Sequence, residues 1–144
     1  FSLLPAVPEA VVLSHGHVDH CGALPALMRQ FPSVVAYSTN ATVSIMDRML
    51  HNSVSVMSTL ARERQIDSYP LYTHQDVELS MARTRSMGMG SEFILNSRDG
   101  VRVSFHHAGH VLGGGSILLS MNGHNVFYTG DICADDQGLG IPML

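Results

Sequence analysis

"LSHGHVDHCGALP", residues 13–25, crowds three histidines and an aspartate into positions 15 to 20, directly behind the apolar run Val11, Val12 and Leu13. The apolar run predicts a short buried strand over residues 10–14, and "GALPALMRQF" beyond the histidines repeats Leu24, Leu27, Met28 and Phe31 at helical spacing. The order is strand, loop, helix, with the histidines in the loop where the strand ends. Side chains of an extended segment alternate, so His15, His17 and Asp19 are expected to point one way while His20 turns off toward the helix. Imidazole and carboxylate together suit zinc and similar borderline divalent cations. Spaced donors around an aspartate are costly to place together unless a cation pairs with them. A metal site therefore outweighs a set of ordinary surface histidines here.

Such a loop cannot encircle a metal twice, so further donors are expected from elsewhere. "HHAGHVLGGGS", residues 106–116, supplies His106, His107 and His110 after a strand, and His110, flanked by glycines that let backbone approach closely, is the best candidate. "VFYTGD", residues 126–131, ends a strand on Asp131, a carboxylate placed to bridge two cations. His107 continues the alternation of Val101, Val103 and Phe105, which predicts a group packed beneath the site that orients a ligand. Cys21 follows His20 and Cys133 follows Asp131 by two residues, so both are expected near the metals as small buried thiols and not as ligands. His51, His74 and His124 read as ordinary satisfied or solvated histidines. The glycines at 113–115 lack the Gly-Lys-Ser/Thr of a phosphate loop and match no dinucleotide pattern.

Outward from the site, "SVVAYS" (33–38) reads as a second strand. The following helix, 39–57, carries Val43, Met46, Leu50, Val54 and Met57 on one face, with Thr39 as its cap. Residues 58–90 are more polar and less periodic, and "HQDVELSMARTRSMGMG" (74–90) is read as helical with Asp76 near its start. From Glu92 the period becomes two. "EFILN", the turn "SRDG" and "VRVSF" form one hairpin, and "SILLSM", "NG" and "HNVFYTGD" form a second with an Asn-Gly turn. Alternating strands and helices followed by antiparallel hairpins predict a mixed α/β architecture with its chemistry at strand ends.

The chain of 144 residues is long enough for one domain with its own core. Its net charge is −4 and all eight basic residues are arginine, so no broad cationic face for nucleic acid is written here. Two cysteines argue against a disulfide framework and for a reducing compartment, the cytoplasm, or the nucleus of a eukaryote. No apolar run approaches the ~20 residues that span a bilayer. The opening "FSLLPAVPEA" and the closing "GLGIPML" read as interior positions of a longer chain.

"SHGHVDH" matches the H-x-H-x-D-H signature of the metallo-β-lactamase superfamily, and "HAGHVLG" and "YTGD" resemble its later histidine and aspartate motifs. "DHCGALP", "TNAT", "PLYTHQDV", "AGHVLGGGS" and "FYTGD" are similar to the β-CASP branch, whose members are RNA- and DNA-processing nucleases. They look closest to the group around the cleavage and polyadenylation endonuclease subunit and its prokaryotic relatives. The resemblance implies an αββα sandwich, here a partial metallo-β-lactamase domain over residues 1–144. It implies two zinc ions: His15, His17 and His110 bind the first, Asp19 and His20 the second, and Asp131 bridges them. It further implies cleavage of RNA phosphodiester bonds by a metal-bridged hydroxide, with Asp19 and Asp131 as the catalytic carboxylates and Asp19 orienting the nucleophile.

Relatives add an earlier acidic strand motif, a β-CASP domain and a further histidine ligand, none of which is present here, which leaves the second zinc one ligand short and places the RNA cleft largely on the absent half. "ICADDQGLG" lacks the arginine that relatives often carry after the aspartate. A thioester or lactam hydrolase of the same superfamily is the alternative activity. A truncated, non-catalytic partner of a homologue, or a homo-oligomer, is the alternative state.

Overall fold

The computed structural model describes residues 4, 6–96 and 100–135. Two sheets carry the fold. The first holds β1 (Ala10–Val12), β2 (Val35–Thr39) and β3 (Thr84–Met87) in that order and all parallel. The second is an antiparallel meander of β4 (Glu92–Asn96), β5 (Val101–His107), β6 (Gly115–Met121) and β7 (His124–Tyr128). Among the described residues four helices, α1 (Val18–Cys21), α2 (Leu24–Gln30), α3 (Asn40–Arg64) and α4 (His74–Met81), connect the parallel strands.

Alternation along the parallel strands separates two cores. Val11 and Ala36 join Met28, Met46, Leu50 and Val77 between the first sheet and the helices. Val12 and Met87 join Val103, Phe105 and Ile117 between the two sheets. Tyr37 of β2 stacks on Phe93 of β4 across this second core, with ring centroids 5.2 Å apart. The layers run helices, parallel sheet, antiparallel sheet: three consecutive layers of the expected sandwich. Among the described residues no helix is long and apolar enough to cross a membrane.

Several elements depart from the sequence expectation. α3 runs on to Arg64, and Thr42, not Val43, occupies the first buried position of its stripe. Thr39 caps it as expected, its hydroxyl accepting from the Thr42 N–H at 3.3 Å. The helix read over 74–90 stops at Met81, and Thr84–Met87 is a strand. "TRSM" has no strand periodicity of its own; its parallel pairing with β2, from Ala36–Thr84 to Thr39–Met87, decides it. The Asn-Gly turn is as read, with Asn122 and Gly123 both at positive φ, 50° and 80°. The first hairpin pairs as read, while its turn at 97–99 and the closing "GLGIPML" lie outside the described residues.

α4 begins in a capping box: the Thr73 hydroxyl accepts from the Asp76 N–H, and the Asp76 carboxylate accepts from the Thr73 N–H at 2.8 Å and from Arg29 of α2 at 3.0 Å. Burial raises the Asp76 pKa, but these donors outweigh it and hold the carboxyl below its usual range. A depressed carboxyl contributes stability above its unfolded pKa, and that contribution is lost as pH falls through the folded value. Asp76→Ala is therefore expected to cost about 1–2 kcal/mol in urea denaturation at neutral pH. The deficit relative to wild type should shrink as pH falls below roughly 4.

Candidate metal centre

Leu13 and Ser14 carry the chain out of β1 under cover. The Leu13 N–H donates to Tyr37 O at 2.9 Å, the Ser38 hydroxyl donates to Leu13 O at 2.8 Å, and the Gly115 N–H donates to Ser14 O at 2.9 Å. The histidine loop is thus held by both sheets. It stays extended only through His17; from Val18 it turns into α1. The expectation that Asp19 lies beside His15 and His17 is corrected by that helical turn, which swings Asp19 outward, its side chain 77% exposed, and brings His20 inward. Asp19 remains within reach of the centre through His20, with Oδ2 3.7 Å from His20 Nε2.

Four donors converge. One ligand atom from each of His15, His17, His110 and Asp131 lies within 4.8 Å of all the others. His15 Nε2 is 3.2 Å from His17 Nδ1, His110 Nε2 is 3.4 Å from His17 Nδ1, and Asp131 Oδ2 is 3.8 Å from His15 Nε2 and 3.5 Å from His110 Nε2. Four ligands placed tetrahedrally at zinc bond lengths stand roughly 3.4 Å apart. The cluster therefore has the dimensions of a first coordination shell, and it combines the donor types zinc prefers. Asp131 also reaches the other way: its Oδ1 lies 3.4 Å from His20 Nε2. One carboxylate thus faces two groups of donors through its two oxygens.

The electrostatics agree with a ligand role. Burial, then the neighbouring His20 and His17 rings, lower the His15 pKa to about 4, with Asp131 acting in the opposite sense. At neutral pH His15 is an uncharged imidazole with a lone pair to give. Ser14 selects which nitrogen gives it: the hydroxyl lies 3.1 Å from His15 Nδ1, so a proton there leaves Nε2 free toward the cluster. Ser14 escaped the sequence reading because nothing in its position distinguishes it from any serine at a strand end. We expect Ser14→Ala to weaken metal binding about 10–100-fold in a chelator competition, with the fold retained.

His107, the group expected to pack beneath the site, is exposed instead. It keeps the alternation of Val103 and Phe105, but β5 ends there and cover over that face runs out. His106 is exposed too, with Nε2 3.0 Å from the Ser104 hydroxyl. Cys21 is fully buried, its thiol donating to Gly16 O, and burial pushes its pKa up to about 11, so it stays a thiol, poorly suited to bind zinc. The Cys133 N–H donates to Ala108 O at 2.8 Å and ties the aspartate turn to the His110 loop. His51 and His74 satisfy one another, with Nδ1 atoms 2.7 Å apart between α3 and α4, away from this cluster.

A family model described as the metallo-beta-lactamase superfamily matches residues 2–135. The chain is 30% identical over 92% of its length to Ribonuclease TTHA0252 of Thermus thermophilus, covering 28% of that protein. It is 35% identical over 90% of its length to Cleavage and polyadenylation specificity factor 73 of Drosophila melanogaster, covering 18% of it. To Endoribonuclease ysh1 of Emericella nidulans it is 30% identical over 99% of its length, covering 16%. The chain thus spans less than a third of each relative. These names bear out the sequence resemblance to RNA-processing nucleases.

Proposed function

Because the chain belongs to the metallo-beta-lactamase superfamily, we propose that it carries the metal-binding portion of a zinc-dependent ribonuclease. His15, His17 and His110 would hold one zinc, Asp19 and His20 would reach a second, and Asp131 would serve both. The observation that carries this reading is the division of Asp131, with Oδ2 facing His15 and His110 and Oδ1 facing His20. Two bound cations would supply Lewis acidity for the phosphodiester and a water acidified toward neutrality.

The chain's own residues do the rest. Asp131 and the buried His15 fix where positive charge can sit. Asp19, on the exposed rim, is free to accept a hydrogen bond from an incoming nucleophile and orient it. The names of the relatives favour RNA as the substrate, and the acidic balance of this chain, −4, assigns most phosphate contacts to protein outside it. The completing ligand of the second zinc and the other wall of an RNA cleft belong there too. We place the protein in the cytoplasm or, in a eukaryote, the nucleus.

The test is cleavage of single-stranded RNA by the full-length gene product beside its His17→Ala variant, with thioester hydrolysis measured in parallel. Loss of RNA cleavage by about a hundredfold or more, with circular dichroism unchanged, is expected. RNA cleavage that survives His17→Ala undiminished, or turnover of the thioester and not of RNA, overturns the ribonuclease reading.

A further inference from the structure

A second group of imidazole and carboxylate lies in the helical layer. His51 of α3 and His74, the first residue of α4, place their Nδ1 atoms 2.7 Å apart. Asp47, one turn back along α3, has its Oδ1 3.8 Å from the opposite nitrogen of His51, Nε2. His51 and Asp47 are partly exposed and His74 is exposed, so ions and water reach the pair.

The ring centroids stand 5.0 Å apart and the ring planes lie 21° from parallel, so the two imidazoles meet end to end, nitrogen facing nitrogen. One of them donates its N–H and the other accepts. Asp47 decides which. A carboxylate beside Nε2 favours the proton there, and the lone pair of His51 is left on Nδ1, facing His74. A metal-binding histidine is arranged in the same way, with one nitrogen turned to an acceptor and the other offered to the cation. His74 reaches that state when its proton moves to Nε2, where water can accept from an exposed ring.

The separation of the two nitrogens selects among cations. Tetrahedral donors at zinc bond lengths stand roughly 3.4 Å apart, whereas adjacent corners of a square at about 2.0 Å from the ion stand roughly 2.8 Å apart. At 2.7 Å the His51–His74 pair fits the square and is too narrow for the tetrahedron. Both rings must turn inward to aim at one ion, and the torsion that turns an imidazole is broad and cheap.

We propose that His51 and His74 form a second cation site, which takes copper(II) or nickel(II) at adjacent corners of a square, with water in the remaining positions. Asp47 orients His51 and sets negative charge beside the ion. The bound ion ties α4 to α3. This site draws no ligand from the His15 cluster and does not depend on the reaction proposed there.

The experiment is a copper(II) titration of the untagged full-length gene product, loaded beforehand with zinc, followed by electron paramagnetic resonance and metal analysis. Wild type should take up one copper(II) ion with its zinc retained, and the signal should show splitting from two imidazole nitrogens. Holding the ion by two linked rings should bind it about a hundredfold more tightly than by one, so His51→Gln and His74→Gln should each weaken uptake by about that factor. Asp47→Asn, which keeps both rings, should weaken it about tenfold and leave the two-nitrogen splitting in place. A wild-type signal without that splitting overturns the site whether or not the variants fold. Uptake that is equal in wild type and both glutamine variants, or lost in only one of them, overturns it as well. Copper that enters only as zinc leaves, or a signal lost in His17→Ala and kept in both glutamine variants, belongs to the His15 cluster and also overturns it.

Discussion

Asp131→Ala is expected to lower RNA cleavage on the order of 10⁴-fold while leaving the fold as stable as wild type. The reasoning begins with burial. The Asp131 side chain is 45% exposed, so its truncation opens no cavity and removes little apolar contact. In the proposed centre its energetic role lies with the cations. It is the only anionic member of the converging group His15, His17, His110 and Asp131, and its second oxygen faces His20. Without it, four imidazoles would share the charge of two cations with no carboxylate between them. Metal analysis of the purified protein should show both zinc ions lost or severely weakened, and thermal unfolding of the metal-free protein should move by less than about 0.5 kcal/mol equivalent. Full zinc content together with undiminished cleavage would remove Asp131 from the centre. A large drop in metal-free stability would show instead that the carboxylate is structural.

What the sequence disclosed and what it withheld follow from how local each feature is. The convergence of His15 and His17 was legible because donors meant for one cation must be spaced closely along the chain. Thr39 was legible as a cap, and Asn122-Gly123 as a turn, because each acts through its own neighbouring backbone. β3 was not, since "TRSM" is a strand only through its pairing with β2, more than 40 residues earlier in the chain. The outward turn of Asp19 was missed because alternation holds only while the chain stays extended, and α1 starts at Val18. For His107 the alternation was right and the burial wrong: periodicity gives the face of a strand, not where its cover stops. Ser14 and Gly130 are the opposite case, ordinary residues whose importance comes from a contact across the fold. At Gly130, where φ is +58°, a Cβ would stand 2.9 Å from the Cβ and Oγ of Ser14, so only glycine lets the Asp131 turn close over the group that orients His15.

Gly113→Ala should cost at least about 3 kcal/mol of stability. Two costs combine. Gly113 sits at φ +77°, a conformation that side chains rarely adopt, and its new Cβ would lie 2.6 Å from the Cβ of Ala41, 2.8 Å from the Thr42 nitrogen and 2.9 Å from the Thr39 hydroxyl. None of these can step aside cheaply, because all three belong to the capped first turn of α3. The Gly113 carbonyl in turn accepts from both threonine hydroxyls, Thr39 at 2.6 Å and Thr42 at 2.9 Å. Moving the loop to relieve the clash therefore breaks the two hydrogen bonds that seat it, and these same bonds hold the loop from which His110 reaches the candidate metal centre. Stability and metal affinity should fall together, the first read by urea denaturation and the second by chelator competition. Against a typical domain stability of about 5–15 kcal/mol, the loss is large without guaranteeing an unfolded protein. Pairing the substitution with Ala41→Gly separates the clash from the backbone strain: it removes the nearest of the three contacts and should return about 1 kcal/mol in a double-mutant cycle. An alanine at 113 that costs less than 1 kcal/mol and leaves zinc affinity intact would mean that the loop moves freely over α3, and that His110 is positioned by something other than the threonine clamp.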